Sequence, residues 1–139
     1  MKGLLLDTCV VSELRHPNGN PAVKLAVNSY PDSQLHISVL TLGEIAKGIN
    51  LLSEGRRRTE LAVWLGQMMD VPTTQLLPVT REISVVWGRE TARAQARGQS
   101  RHSVDLLLAA TALVHDLTVC TRNTSHFVST GVAIYDPWR

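Results

Sequence analysis

The stretch Gly3-Leu4-Leu5-Leu6-Asp7-Thr8 indicates the fold class of this chain. Residues 3–6 form a short apolar run, which is typical of a strand that is buried on both faces of a parallel sheet. Asp7 follows this strand directly. Because open parallel sheets bind their ligands beyond the carboxyl ends of the strands, Asp7 occupies a position suited to chemistry.

Beyond this stretch, predicted strands and helices alternate along the chain. Apolar runs predict further strands at residues 35–38, 75–77, 117–121 and 132–135. Helical spacing predicts one turn at residues 10–14 and helices at about 21–30, 42–53, 61–69, 82–97 and 104–115. The last of these is apolar nearly all round, so we expect it to be central and buried. The alternation predicts an α/β fold with a mainly parallel sheet in one domain, residues 1–139.

The composition excludes several classes of protein. Hydrophobic residues make up 44% of the 139 residues and charged residues 19%, which is enough to fill a core and excludes global disorder. The net charge of +2 permits a nucleic-acid partner without requiring one. No window approaches the ~20 apolar residues of a membrane span, and the first apolar run is too short for a signal peptide. We therefore expect a cytoplasmic protein in which Cys9 and Cys120 are buried free thiols.

Three acidic residues stand at boundaries of predicted elements, and each has a purely structural alternative. Asp7 is equally compatible with a turn or a helix N-cap. Glu44 follows Thr41 by three residues, which is the capping-box pattern. Asp105 follows Ser103, a candidate N-cap, and the dipole of the helix would stabilise an acid there.

Taken together, these acids predict a metal site at one edge of the sheet. Asn123 follows the strand at 117–121 and reaches the same edge, although a turn would also explain it. Clustered carboxylates repel one another, and a divalent cation relieves that repulsion. Oxygen ligands of this kind suit Mg²⁺ or Mn²⁺, which can activate water for attack on a phosphodiester.

The ordered motifs resemble the PIN-domain ribonucleases and, within them, the VapC/FitB-type toxins of type II toxin–antitoxin pairs. The resemblance covers essentially the whole chain and rests on several segments taken together. These segments are Leu5-Leu6-Asp7-Thr8, residues 38–44, residues 105–112, residues 117–123, Phe127 and Asp136-Pro137-Trp138.

The resemblance implies an α/β/α sandwich and an endoribonuclease that hydrolyses RNA with Mg²⁺, for which Mn²⁺ could substitute. Asp7, Glu44 and Asp105 match the family's acids and would be the metal ligands. It also implies a small inhibitory antitoxin as partner, and a homodimer or larger toxin–antitoxin assembly.

The resemblance also assigns further residues to the site. Asn123 stands at a fourth catalytic position that is often Asp in the family, so the number of metal ions stays open. Thr8, Thr121 and Arg122 are candidate substrate-binding residues, although turn and strand chemistry explains the two threonines equally well. At the position of His126, many relatives have an acid. We interpret His126 as a histidine of a surface loop.

Two other patterns have competing interpretations. Arg89, Arg93 and Arg97, with Arg101 beyond them, recur every four residues, and a solvated helix face is favoured over an RNA-binding stripe. A face with Trp64, Met68 and Met69 at helical spacing is typical of a core, with a partner-binding groove as the minority interpretation.

Other functions are less compatible with the sequence. A phosphotransferase of the haloacid-dehalogenase type needs a second Asp two residues after the first, where this chain has Cys9. A response-regulator receiver needs adjacent acids after its first strand. A non-catalytic PIN fold that only binds RNA or protein is the remaining alternative, and the three retained acids oppose it.

Overall fold

The computed structural model describes residues 3–72, 75–99 and 102–139, and within these ranges five parallel strands form one sheet in the order β3-β2-β1-β4-β5. The strands are β1 (Leu4–Leu6), β2 (Leu35–Ser38), β3 (Leu76–Leu77), β4 (Thr118–Cys120) and β5 (Ile134–Tyr135). The helices are α1 (Thr8–Arg15), α2 (Pro21–Asn28), α3 (Val39–Asn50), α4 (Arg56–Met69), α5 (Arg81–Ala96) and α6 (Ser103–His115).

The central strand β1 separates two hydrophobic cores. Leu4 and Leu6 face the core that α1, α2 and α3 cover, and α4 packs against its margin. Leu5, on the opposite face of the strand, belongs to the core that α6 covers. All residues of β1 are buried, as the apolar run at 3–6 predicted for a strand with both faces covered. The α/β/α sandwich with a parallel sheet is therefore confirmed.

Helix α6 is buried because it packs between the sheet and α5. Its central residues, which have almost no contact with solvent, are Leu106, Leu108, Ala109, Ala110, Thr111 and Ala112. The apolar pattern around the whole helix predicted this central position correctly.

Several predicted helix starts are too late: α1 begins at Thr8 and not at residue 10, and α4 begins at Arg56 and not at about residue 61. Helix α3 begins at Val39, because the Ser38 side chain accepts a hydrogen bond from the Leu40 N–H at 3.1 Å and acts as the N-cap. Thr41 is consequently inside the helix, so the Thr41–Glu44 capping box does not form. Helix α6 begins at Ser103, with His102 as its N-cap residue, and not one residue later.

Burial partly corrects the interpretation of the sulfur-containing side chains. Both cysteines are free thiols, but Cys9 is only partly buried whereas Cys120 is fully buried. Burial raises the pKa of the Cys120 thiol to about 12.

Trp64 and Met68 pack against the core as expected, while Met69 is 63% exposed because it lies on the outer face of α4. In the described part of the chain, each helix is too short or too polar to cross a bilayer.

Phe127 offers a test of the core beneath α6. Its side chain is fully buried, so Phe127→Ala should lower the free energy of unfolding by about 3–5 kcal/mol. The adjacent Val128 is 68% exposed, and Val128→Ala should change it by less than about 0.5 kcal/mol. Equilibrium urea unfolding of both variants measures the difference, and equal effects would contradict this packing.

Candidate active site

Asp7 is held at the carboxyl end of β1 by hydrogen bonds to both oxygens of its side chain. Oδ1 accepts from the backbone N–H of Thr8 at 2.8 Å, and Oδ2 accepts from the Thr121 hydroxyl at 2.7 Å. Asp7 is thus the N-cap of α1, and its side chain is 6% exposed. The capping role of Asp7 is confirmed, and because the residue also lines a cavity, this role does not exclude a functional one.

Thr8 connects this strand end to α3. The Thr8 hydroxyl donates a hydrogen bond to Oε1 of Glu44 at 2.6 Å. Glu44 is in the second turn of α3, so its side chain points across to the end of β1 and not back to its own helix start. This contact replaces the capping box and places the second acid beside the first.

Asp105 is paired with a histidine. Nδ1 of His126 lies 2.9 Å from Oδ2 of Asp105, and the rings of His126 and His102 are 6.0 Å apart between centroids. Burial, together with the charge of Asp7, raises the pKa of Asp105, and the His126 imidazole opposes that rise. The interpretation of His126 as a surface-loop residue is incomplete: it lies in a turn with a side chain that is 39% exposed, but this turn brings it to the start of α6, beside Asp105.

The acids converge on one open cavity of about 360 Å³ at the carboxyl edge of the sheet, which we call the acidic cavity. It is lined by Asp7, Thr8, Cys9, Glu44, Lys47, His102, Val104, Asp105, Asn123 and His126. Sequence reasoning did not identify Lys47 or His102 as lining residues. Lys47 follows Glu44 by three residues on one helix face, so this spacing was the available signal.

Two predicted substrate-binding residues lie outside the lining of the acidic cavity. Thr121 is fully buried, and its hydroxyl contacts Asp7 and accepts from the Asn123 N–H at 2.9 Å. Arg122 is exposed, and its guanidinium carbon is 5.2 Å from the centroid of the Trp138 ring. Thr8 borders the cavity, but its hydroxyl is used by Glu44.

The acidic cavity matches a hard divalent cation in the type of its ligands. Asp7, Glu44 and Asp105 supply carboxylate oxygens, and a cation there would offset both the burial and the repulsion by Asp7 that raise the pKa of Asp105. Among the residues that the structure describes, no three Asp, Glu, His or Cys side chains are close enough together to hold an ion as they stand. The carboxylates would thus have to close around it.

The arginines of α5 are not a uniform basic stripe. Arg93 pairs with Glu90 at 3.0 Å, and this glutamate is buried to 6% exposure. Arg89 and Arg97 are exposed, which agrees with the favoured solvated face, and Arg101 lies outside the described residues.

A groove of about 250 Å³ between α1, α3 and α4 is the structural counterpart of the predicted partner-binding face. Trp64 lines it, and the Arg15 guanidinium carbon lies 5.3 Å from the centroid of the Trp64 ring. That a partner protein binds in this groove stays a prediction.

The chain belongs to the PIN domain family, which matches residues 4–131. It is 31% identical over 136 residues to toxin FitB of Neisseria gonorrhoeae, covering 97% of this chain and 98% of FitB. It is also 31% identical to VapC ribonuclease Y4jK of Sinorhizobium fredii, covering 97% of each chain.

Solved structures agree with this assignment. The crystal structure of FitAcB from Neisseria gonorrhoeae superimposes with a TM-score of 0.88 and 31% identity, over 98% of this chain and 99% of that one. A structure of FitAB bound to a DNA fragment gives a TM-score of 0.87 and 29% identity, over 98% and 96% of the two chains.

The raised pKa of Asp105 predicts a pH-dependent cost to stability. Just above the ordinary pKa of aspartate, the unfolded chain has lost this proton while the folded protein keeps it. Stability therefore falls as pH rises through that interval, and ionised Asp105 destabilises the metal-free fold at neutral pH. Asp105→Asn should melt at a higher temperature than the unmodified chain at pH 7, with a difference that shrinks at low pH.

Thermal unfolding in EDTA between about pH 4 and pH 7.5 measures this difference. Glu54→Gln, a change to an exposed acid, is the matched control and should follow the unmodified chain. A lower melting temperature for Asp105→Asn at pH 7 would contradict the expected direction.

Proposed function

We propose that this chain is a Mg²⁺- or Mn²⁺-dependent endoribonuclease that hydrolyses RNA phosphodiester bonds. The observation that carries the proposal is that three carboxylates, from the end of β1, from α3 and from α6, line one open cavity. The similarity to a protein named a VapC ribonuclease supports it. A binding-only PIN fold would have no need for these mutually repelling acids.

Asp7, Glu44 and Asp105 would hold the metal ion. When bound, such an ion supplies positive charge that lowers the pKa of water and stabilises the phosphodiester oxygens as their charge develops. Thr121 hydrogen-bonds to Asp7, and Thr8 to Glu44, so the fold limits the directions in which two of the proposed ligands can point.

The remaining polar side chains of the cavity would act on the substrate. Lys47 supplies a positive charge for the phosphate, and the Asn123 amide orients the attacking water or a phosphate oxygen. Thr8, at the cavity wall, and Arg122, outside it, remain candidates for contact with the RNA backbone, whereas the burial of Thr121 assigns it to positioning Asp7.

The proposed reaction is a direct hydrolysis. The oxygen of a water bonds to phosphorus, the bond from phosphorus to the 3′ oxygen breaks, and that oxygen leaves with a proton. The products are a 3′-hydroxyl and a 5′-phosphate, and no covalent enzyme intermediate is needed.

We further propose that the chain is the toxin of a type II toxin–antitoxin pair. Its similarity over nearly its full length to a protein named toxin FitB supports this role. Its partners would be RNA and a small inhibitory antitoxin, in a homodimer or larger assembly. A similar chain is present in the solved FitAcB structure.

The nuclease proposal predicts that Asp7→Asn abolishes cleavage. Removing one charged ligand loses several kcal/mol of transition-state stabilisation, which corresponds to at least about 10²-fold in rate. Purified protein with radiolabelled RNA should cleave with Mg²⁺ or Mn²⁺, stop in EDTA, and leave 5′-phosphate ends.

Glu54→Gln, which alters an exposed acid outside the acidic cavity, should keep full activity. RNA binding that needs no metal and leads to no cleavage would instead support the binding-only alternative. A 2′,3′-cyclic phosphate product would overturn the hydrolytic scheme.

The toxin proposal predicts that induced expression stops bacterial growth. The arrest should disappear in Asp7→Asn, because RNA cleavage is its cause, and also when the neighbouring small open reading frame is co-expressed. Growth curves and sequencing of RNA 5′ ends measure both effects. Equal arrest by the unmodified chain and by soluble Asp7→Asn would contradict this role.

A further inference from the structure

We propose that His126 is a positioning residue that restricts the orientation of the proposed metal ligand Asp105, an inference that rests on the proposed metal-dependent function. Nδ1 of His126 lies 2.9 Å from Oδ2 of Asp105, within hydrogen-bonding distance. Both side chains line the acidic cavity. A carboxylate with one oxygen fixed in this way presents its other oxygen in a defined direction.

The backbone around His126 is well anchored. Residues Thr124–His126 form a 3-10 turn after β4, in which the N–H of His126 donates to the carbonyl of Asn123 at 3.0 Å. The next residue, Phe127, is fully buried in the core beneath α6. The imidazole is therefore attached to a fixed point of the fold, which is the requirement for a residue that aims another.

Asp105 needs such a partner more than the other acids do. Asp7 accepts hydrogen bonds from Thr8 and Thr121, and Glu44 accepts one from Thr8. Asp105 has the His126 contact, while the nearby charge of Asp7 repels it. His126 therefore has the same task for the third acid that the threonine hydroxyls have for the first two.

The second imidazole near Asp105 is a weaker partner. His102 is exposed at the N-cap of α6, and its influence on Asp105 is smaller than that of His126. Its ring is tilted by 50° against that of His126. The geometry thus singles out His126, and removing its Nδ1–H should weaken metal binding although no metal ligand is removed.

The test compares His126→Leu, which removes the donor, with His126→Asn, whose amide N–H replaces the Nδ1 donor close to the backbone. Mn²⁺ affinity is measured by calorimetry without RNA at about pH 8, where free imidazole is neutral. His126→Leu should bind Mn²⁺ about 10- to 100-fold more weakly, and His126→Asn should recover most of the loss. His115→Asn, at the far end of α6, is the matched control.

Cleavage assays give a second measurement. His126→Leu should need a correspondingly higher Mn²⁺ concentration for half-maximal activity, yet approach the activity of the unmodified chain at saturating Mn²⁺, because all ligands remain. If His126→Leu does not fold, judged by its melting curve, His126→Ala takes its place.

Unchanged Mn²⁺ affinity in His126→Leu would overturn the positioning role, and so would equal weakening in His126→Leu and His126→Asn. If the unmodified chain cleaves RNA and only these comparisons fail, the proposed function stands without the role of His126. If the unmodified chain neither binds Mn²⁺ nor cleaves RNA with it, both proposals fail.

Discussion

The hydroxyl of the buried Thr121 donates a hydrogen bond to Asp7. The hydroxyl of Thr8, the residue after Asp7, donates a hydrogen bond to Glu44. These hydrogen bonds hold negative charges together at one edge of the sheet, where Coulomb repulsion would otherwise drive them apart. This repulsion is not fully relieved: burial, together with the charge of Asp7, raises the pKa of Asp105. The site is thus arranged for a positive charge that the chain itself supplies only in part, through Lys47.

The sheet makes this concentration of charge possible. Strand β1 is central and packs against helices on both faces, so its carboxyl end is set by packing on both sides of the sheet. Strand β4 runs parallel beside it and delivers Thr121 to the same edge. Because parallel neighbours end together, Asp7 and Thr121 meet although they are more than a hundred positions apart in the chain.

Local sequence patterns and site chemistry are compatible at Asp7 but not at Glu44. Asp7 caps α1 and borders the cavity, since the two oxygens of a carboxylate can accept separate hydrogen bonds. The Thr41–Glu44 pattern fits a capping box, in which the helix would begin at residue 42. Helix α3 instead begins three residues before that position, at Val39. Ser38 forms its cap at the end of β2, and where that strand ends depends on pairing with distant residues.

The sequence by itself determined the α/β class, the buried central helix and which acids are candidates for the site. It could do so because apolar periodicity and the position of polar residues after strands are local properties. Its ordered motifs also indicated the family. Only the tertiary structure decided which side chain pairs with which. The contact of His126 with Asp105 and the approach of Lys47 to the cavity depend on how a turn and a helix pack across the sheet edge. Such distances are set by packing of the whole domain. The three-residue spacing of Lys47 from Glu44 indicates a shared helix face but not its distance from the other acids.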